Sequence, residues 1–330
     1  MPQMWLIINP LLIFFKKMMI WVIIMTILIS FSSNSWFIFW LMMEINMMSF
    51  IPILNNFKIK NYNAMITYFI VQSFSSSLFF ISAFQYSLFN LNFFFNLVNI
   101  SILIKMGVIP FHFWMVMLSE SLTFFSLFIL LTIQKIMPLL IIEKFINNSL
   151  TIVFVLSSLM ASVLAMKYKM MKKILIFSSI SHQGWILCLI SKKINFWISY
   201  LILYSIIIFN IISICNNNNF NNISDFIKKK MKNENKTSLI MSMMSLAGMP
   251  PFLGFFMKIV ALFFLMKMNM IMIFLLIMSS LINLFFYMRS MTPSFFINLK
   301  FFSWNNLMMK KNLLFKMNLI LLIILINIFI

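Results

Sequence analysis

Acidic residues, glycine and cysteine are all scarce in this chain: five, four and two of 330. Charged side chains make up 9% of it, whereas a soluble globular domain carries about 25%. That shortfall excludes an ordinary soluble fold. No GxGxxG or GxxxxGK[ST] run occurs, so no nucleotide site is visible. Cys188 and Cys215 lie 27 residues apart in apolar stretches, with no CxxC and no Cys/His cluster to ligate a metal or an iron–sulfur cluster. Both thiols read as core packing. Lys16 and Lys17 precede an apolar run, but no small-residue cleavage site follows, so the first helix is expected to be retained.

What is present is oil. Hydrophobic residues are 63% of the chain and the mean hydropathy is +1.04. Strict alternation of apolar and polar residues is absent, which argues against a β-barrel. A helix rising 1.5 Å per residue needs about 20 residues to cross the hydrocarbon core. The pattern therefore predicts an all-α polytopic membrane protein, a single domain over 1–330. Eleven spans are expected, at 18–34, 36–54, 64–86, 92–110, 122–142, 149–166, 173–191, 195–215, 237–264, 269–288 and 313–330. Residues 1–15 either extend the first helix or lie at the interface. Pro110 and the pair Pro250-Pro251 are expected to break two of the helices.

The net charge is +20. In a soluble domain that would suggest nucleic acid, but here the bases sit in short loops, where they set topology. With eleven spans, one side of the membrane collects +15 and the other +3. The positive side is the side of synthesis, which places the N-terminus there and the C-terminus opposite. Phe, Ile, Met, Asn and Lys dominate while 24 of 25 bases are Lys, a bias towards A/T-rich codons and an organellar gene.

Four ionisable residues remain inside the spans: Glu44, Lys105, Lys135 and Lys258. A charge at bilayer depth costs several kcal/mol, so such residues are rare and mark ion or proton paths. Glu44 has Asn46 and Ser49 close by; the plain alternative is an acid kept neutral by burial. Lys105 precedes Gly107 and Pro110 in a helix expected to break, with snorkelling to the interface as its alternative. Lys135 lies deep in its span, and Lys258 follows the second break. A break beside a lysine in both halves hints at an internal inverted repeat of the transporter kind. His112 and His182 read equally as proton relays or as packed, hydrogen-bonded histidines. One acid and three bases suit a proton relay, provided water joins them and a partner supplies the energy. A stand-alone cation/proton antiporter and a scaffold with internally paired charges are the competing readings.

Several segments carry a resemblance: Ser32-Ser33-Asn34-Ser35-Trp36, Glu44-Ile45-Asn46, Lys105-Met106-Gly107 with Pro110-Phe111-His112-Phe113-Trp114, Gln134-Lys135-Ile136 with Pro138, Ser178-Ser179-Ile180 with His182 and Gly184-Trp185, and Pro250-Pro251-Phe252-Leu253-Gly254-Phe255 with Lys258. In order and spacing they resemble the antiporter-like chain 2 family of the membrane arm of respiratory complex I, the mitochondrial NADH–ubiquinone oxidoreductase. The resemblance implies an eleven-helix antiporter-like fold in the inner mitochondrial membrane, with the positive loops and the N-terminus on the matrix side and the C-terminus facing the intermembrane space. It implies proton translocation through Glu44, Lys105, Lys135 and Lys258, driven by electron transfer from NADH to ubiquinone. It also implies that NADH, FMN, iron–sulfur clusters and ubiquinone are bound by other subunits, that this chain holds no cofactor or metal, and that its partners are the other membrane-arm subunits and lipid, not nucleic acid. Met42, Ile109, Ser121 and Ala247 stand where the family commonly has a smaller residue.

Overall fold

The computed structural model describes residues 2–55, 59–145, 150–225 and 233–298. The predicted eleventh span, 313–330, lies outside the described residues. The described chain is almost wholly helical; its one β-bridge joins Met170 to Asn222. Seven described helices are long and apolar enough to cross a membrane, and three shorter apolar helices accompany them.

Contacts divide the chain into two compact units, Met1–Asn147 and Asn148–Ile330. The first contains α1 (Pro2–Ser32), α2 (Trp36–Leu54), α3 (Ile59–Phe89), α4 (Asn92–Met106), α5 (Phe113–Leu118), α6 (Phe124–Leu131) and α7 (Ile133–Phe145). The early residues thus extend the first helix. Ser35 caps α2 by accepting the Ile38 N–H, and Thr123 caps α6 by accepting that of Ser126. The end of α7 is fastened to the α1–α2 turn: Lys144 Nζ donates to Asn34 Oδ1 at 2.9 Å, and Trp36 stacks on Phe145 with centroids 3.7 Å apart.

The second unit contains α8 (Thr151–Ala165), α9 (Met171–Ser191), α10 (Phe196–Asn217), α11 (Asn233–Ala247), α12 (Leu253–Leu265) and α13 (Met270–Asn298). Helix α9 is its axis, packed by α8, α10, α12 and α13. It is buried on every side, as an all-round apolar helix must be. Its serines return their hydroxyls to their own backbone, Ser178 to the Leu175 carbonyl and Ser179 to that of Ile176, so they enter the interior without leaving a donor unsatisfied. Elsewhere large apolar side chains such as Trp21, Phe74, Phe263 and Met270 point outwards, as lipid solvent requires.

Both predicted breaks are present, but proline is not what ends the helices. Gly107 (φ 64°) and Gly248 (φ 84°) take the left-handed conformation immediately after Met106 and Ala247. At the first break the Gly107 N–H bonds to the Ile104 carbonyl at 3.1 Å and the Val108 N–H to that of Leu103 at 3.2 Å. At the second, Gly248 bonds to Ser245 at 3.1 Å and Met249 to Met244 at 3.2 Å. Each is a Schellman turn, in which a residue free to adopt positive φ closes the helix on its own carbonyls. The prolines come afterwards and prevent resumption. Lys105 therefore sits one residue before the end of its helix, not five before a kink.

A third irregularity falls inside the span read as continuous over 122–142. The Thr132 hydroxyl donates to the Phe128 carbonyl at 2.7 Å, and the Lys135 N–H closes on Thr132 at 3.2 Å, a three-residue spacing that tightens the turn. Pro138 then withholds the donor that the Gln134 carbonyl would receive.

Two substitutions separate the demands of the second break. A methyl group on Gly248 would be strained by about 1–2 kcal/mol, and it would press on the Lys258 ammonium, which is mobile enough to yield. A methyl group on Gly254 would run into the Ser245 carbonyl, which is backbone and cannot. Gly254→Ala is expected to abolish accumulation of the folded chain in membranes, whereas Gly248→Ala is expected to accumulate but unfold some degrees lower. Immunoblotting and thermal unfolding of membrane preparations check the ranking.

Candidate proton-path site

Glu44, Lys105 and Lys135, which are far apart in sequence, converge in the first unit. Helix α3 makes this possible. Tyr68, Gln72 and Ser76 recur every four residues and so share one face. The Ser76 hydroxyl donates to the Glu44 carboxylate, and Gln72 Nε2 donates to the backbone carbonyl of Lys105 at 3.3 Å. Glu44 itself is half-buried on α2.

Lys105 is 8% exposed and Lys135 5%, so neither snorkels outwards. Both line one cavity of about 30 Å³ enclosed by α2, α3, α4, α5 and α7. A water needs about 10–15 Å³ of such space and polar partners to hold it. The cavity has the room, and Asn46, Gln72, Tyr68 and Gln134 supply further polar groups on its wall. The remaining wall is largely thioether: Met43, Met47, Met106, Met115 and Met137. Gln134 Nε2 donates to Asn46 Oδ1 at 2.9 Å, while Asn46 Nδ2 approaches the Met137 sulfur at 3.8 Å, which ties α7 to α2 next to Lys135. Lys135 Nζ has no hydrogen-bond partner among the described residues. A buried amine without a protein partner, facing a cavity of this size and polarity, suits exchange of a proton with water.

The end of α4 forms the roof. Trp114 Nε1 on α5 donates to the Ile104 carbonyl at 3.2 Å, so the carbonyls released by the break go to Gly107, Val108, Trp114 and Gln72. His112 caps α5, is buried, and places Nδ1 3.2 Å from the Pro110 carbonyl, with its ring against Phe113. It belongs to the loop that follows the break and is not among the residues that line the cavity.

In the second unit Lys258 is 5% exposed and its Nζ donates to the Ala247 carbonyl at 2.8 Å. That carbonyl is at the C-terminal end of half-helix α11, where the backbone dipole presents its negative pole to a cation. Only a glycine at 248 leaves room for the ammonium there. His182, on the buried face of α9, bonds through Nδ1 to the Tyr200 hydroxyl at 2.8 Å and lies 5.0 Å from the Tyr204 ring. One position away, Ser181 accepts from Asn283 Nδ2 at 2.8 Å.

The single-letter pattern pointed to all three lysines and the acid, but not to Gln72, Ser76, Gln134 or Tyr200. The signal for the first two was present as polar residues four apart on a face of an otherwise apolar helix. Tyr200 carries no such signal, because a tyrosine in a span reads equally as interface or core.

The family described as "NADH:quinone oxidoreductase/Mrp antiporter, TM" matches residues 83–283. NADH-ubiquinone oxidoreductase chain 2 of Rhipicephalus sanguineus is 70% identical over 312 residues, which is 94% of this chain and 100% of that one. The protein of the same name from Anopheles gambiae is 35% identical over 307 residues, 88% of either chain. Among solved structures, a chain of respiratory complex I from Thermus thermophilus superposes with a TM-score of 0.78 at 16% identity, over 85% of this chain and 70% of that one. A chain of the Mrp complex from Dietzia does so at 0.74 and 16%, over 83% and 59%. The antiporter-like fold expected from the resemblance is thus the fold observed, and the close sequence relatives narrow it further. The chain belongs to the NADH-ubiquinone oxidoreductase chain 2 family.

Proposed function

We propose that this chain is a proton-translocating subunit of the membrane arm of a respiratory NADH:ubiquinone oxidoreductase in the inner mitochondrial membrane. The observation that carries the reading is the meeting of Lys105 and Lys135 on one polar-lined cavity, with Glu44 held by Ser76 on the same face of α3 whose Gln72 holds the Lys105 carbonyl. Lys135 holds and releases a proton towards the cavity. Lys105 exchanges it there. Ser76 orients the acid. Lys258 does the same work in its own unit, where the Ala247 carbonyl gives its ammonium a fixed seat.

NADH, FMN, iron–sulfur clusters and ubiquinone are assigned to other subunits, so this chain transfers protons and not electrons. Its two cysteines are buried free thiols in apolar helices, which fits that division. The N-terminus and the positive loops face the matrix, and the C-terminus faces the intermembrane space. This orientation rests on the lopsided distribution of lysines. A partner must provide the driving force, since moving one charge against 100 mV takes about 2.3 kcal/mol.

Lys135→Ala is expected to lower proton pumping and the linked NADH oxidation about a hundredfold or more, the usual range for removing a proton-transfer group, while the complex still assembles. Unchanged pumping per assembled complex would remove Lys135 from the path. Ser76→Ala keeps the acid but removes its hydrogen bond, worth roughly 1.5–3 kcal/mol to a charged group. It should slow pumping by less than Glu44→Gln does; equal slowing would mean that Ser76 is a relay member and not an orienting group. The Mrp-like fold keeps a stand-alone antiporter in view, and that reading predicts cation-driven proton transport by the isolated chain in vesicles. The proposal predicts none.

A further inference from the structure

A second cavity, of about 330 Å³, opens in the unit 148–330. It is of the size at which small-molecule sites begin, roughly 300 Å³. Its wall combines the loop after α8, the chain at 222–224 and the last turns of α13. The character differs from the first site. Lys169 and Arg289 line it, Tyr168 and Ser224 add hydroxyls, and no carboxylate is among the described lining residues. Arg289 is the only arginine in a chain with 24 lysines. Opposite these polar groups the wall is apolar, including Ala165, Ile174 and Phe286.

The polar side is braced. The Ile223 N–H bonds to the Lys169 carbonyl at 3.1 Å, and the Met171 N–H to that of Asn221 at 2.9 Å, so the two loops are laced together across the cavity mouth. Tyr168 stacks on Phe177 with centroids 5.1 Å apart. Asp225, the nearest acid in sequence, accepts the backbone N–H groups of Asn221 and Asn222 at 3.0 and 3.2 Å, which anchors it within its own loop. The cavity also sits at a defined depth. Apolar span Met171–Ser191 begins beside it, and Arg289 lies in the last turn of span Met270–Thr292. Hydrocarbon gives way to lipid headgroups at that level. Cations and an apolar wall in one cavity match a ligand with an anionic head and an oily body.

We propose that this cavity is a binding site for the phosphate headgroup of an anionic phospholipid. The Arg289 guanidinium takes two phosphate oxygens, as its planar fork allows. Lys169 adds a point charge, the Tyr168 and Ser224 hydroxyls donate to the remaining oxygens, and the first acyl carbons lie along Phe286 and Ile174. Lipid-filled basic pockets between helices are a known physical solution at charged membrane faces.

The test uses the assembled complex, depleted of lipid and reconstituted into phosphatidylcholine nanodiscs containing a minor fraction of photoactivatable phosphatidylglycerol. Cross-linked peptides of this chain are then mapped. Label is expected in the segments around 165–174 and 286–290, reduced roughly fivefold or more in R289Q and in K169Q, as for the loss of charge-assisted contacts. R289K, which keeps the charge but loses the fork, should fall between. K267Q, in the turn that precedes α13, should label as the parent does. Should R289Q fail to assemble, K169Q on the exposed loop carries the test alone. Equal labelling of K169Q and the parent would overturn the proposal. So would displacement of the lipid by inorganic phosphate, which would make this a free-anion site, or a cross-link that places an acidic side chain of a neighbouring subunit in the cavity.

Discussion

In lipid no water stands ready to satisfy a released backbone carbonyl, and that constraint organises this molecule. A helix that stops inside the membrane leaves carbonyls which must be met by protein. Helix α4 stops at Met106 and α11 at Ala247, and each turns its own end on a glycine. The carbonyls left over are met by side chains of neighbouring helices. Gln72 and Trp114 serve the first end, Lys258 the second. The cost of interrupting a helix in oil is thereby offset by the same contacts that locate the ionisable side chains. A lysine placed on an unbroken helix would have had no such seat.

The same economy explains why the two lysines of the first unit differ. Lys105 lies in the last turn of a half-helix, with its backbone carbonyl held by Gln72. Lys135 lies just past the tightened turn at Thr132, with its amine towards the cavity. One is fixed by neighbours, the other is left for solvent. The two amines thus meet on one cavity with different surroundings.

Much of this was legible from residue types. Long apolar runs gave the helices, and charges stranded in them gave Glu44, Lys105, Lys135 and Lys258. The segments around those residues led to the family that the close relatives bear out. What the pattern could not resolve was causation at the breaks. Pro110 and Pro250-Pro251 are the louder signals, yet Gly107 and Gly248 end the helices first. Glycine's freedom at positive φ is invisible until a neighbouring backbone is known. Thr132 was hidden for a related reason: its back-bonded hydroxyl disturbs a helix without altering its hydropathy. Gln72 and Ser76 were readable in principle, since their spacing marks one face of α3, but only the fold shows that this face meets Glu44 and the end of α4.

The thioether lining of the first cavity carries a mechanical implication. Met43, Met47, Met106, Met115 and Met137 are unbranched and turn about three bonds each, so their ends swing at little cost. A wall of valine or isoleucine would fix the enclosed volume. A wall of methionine lets that volume breathe by rotamer exchange alone, so the number of solvent molecules between two amines need not be constant while the helices stand still.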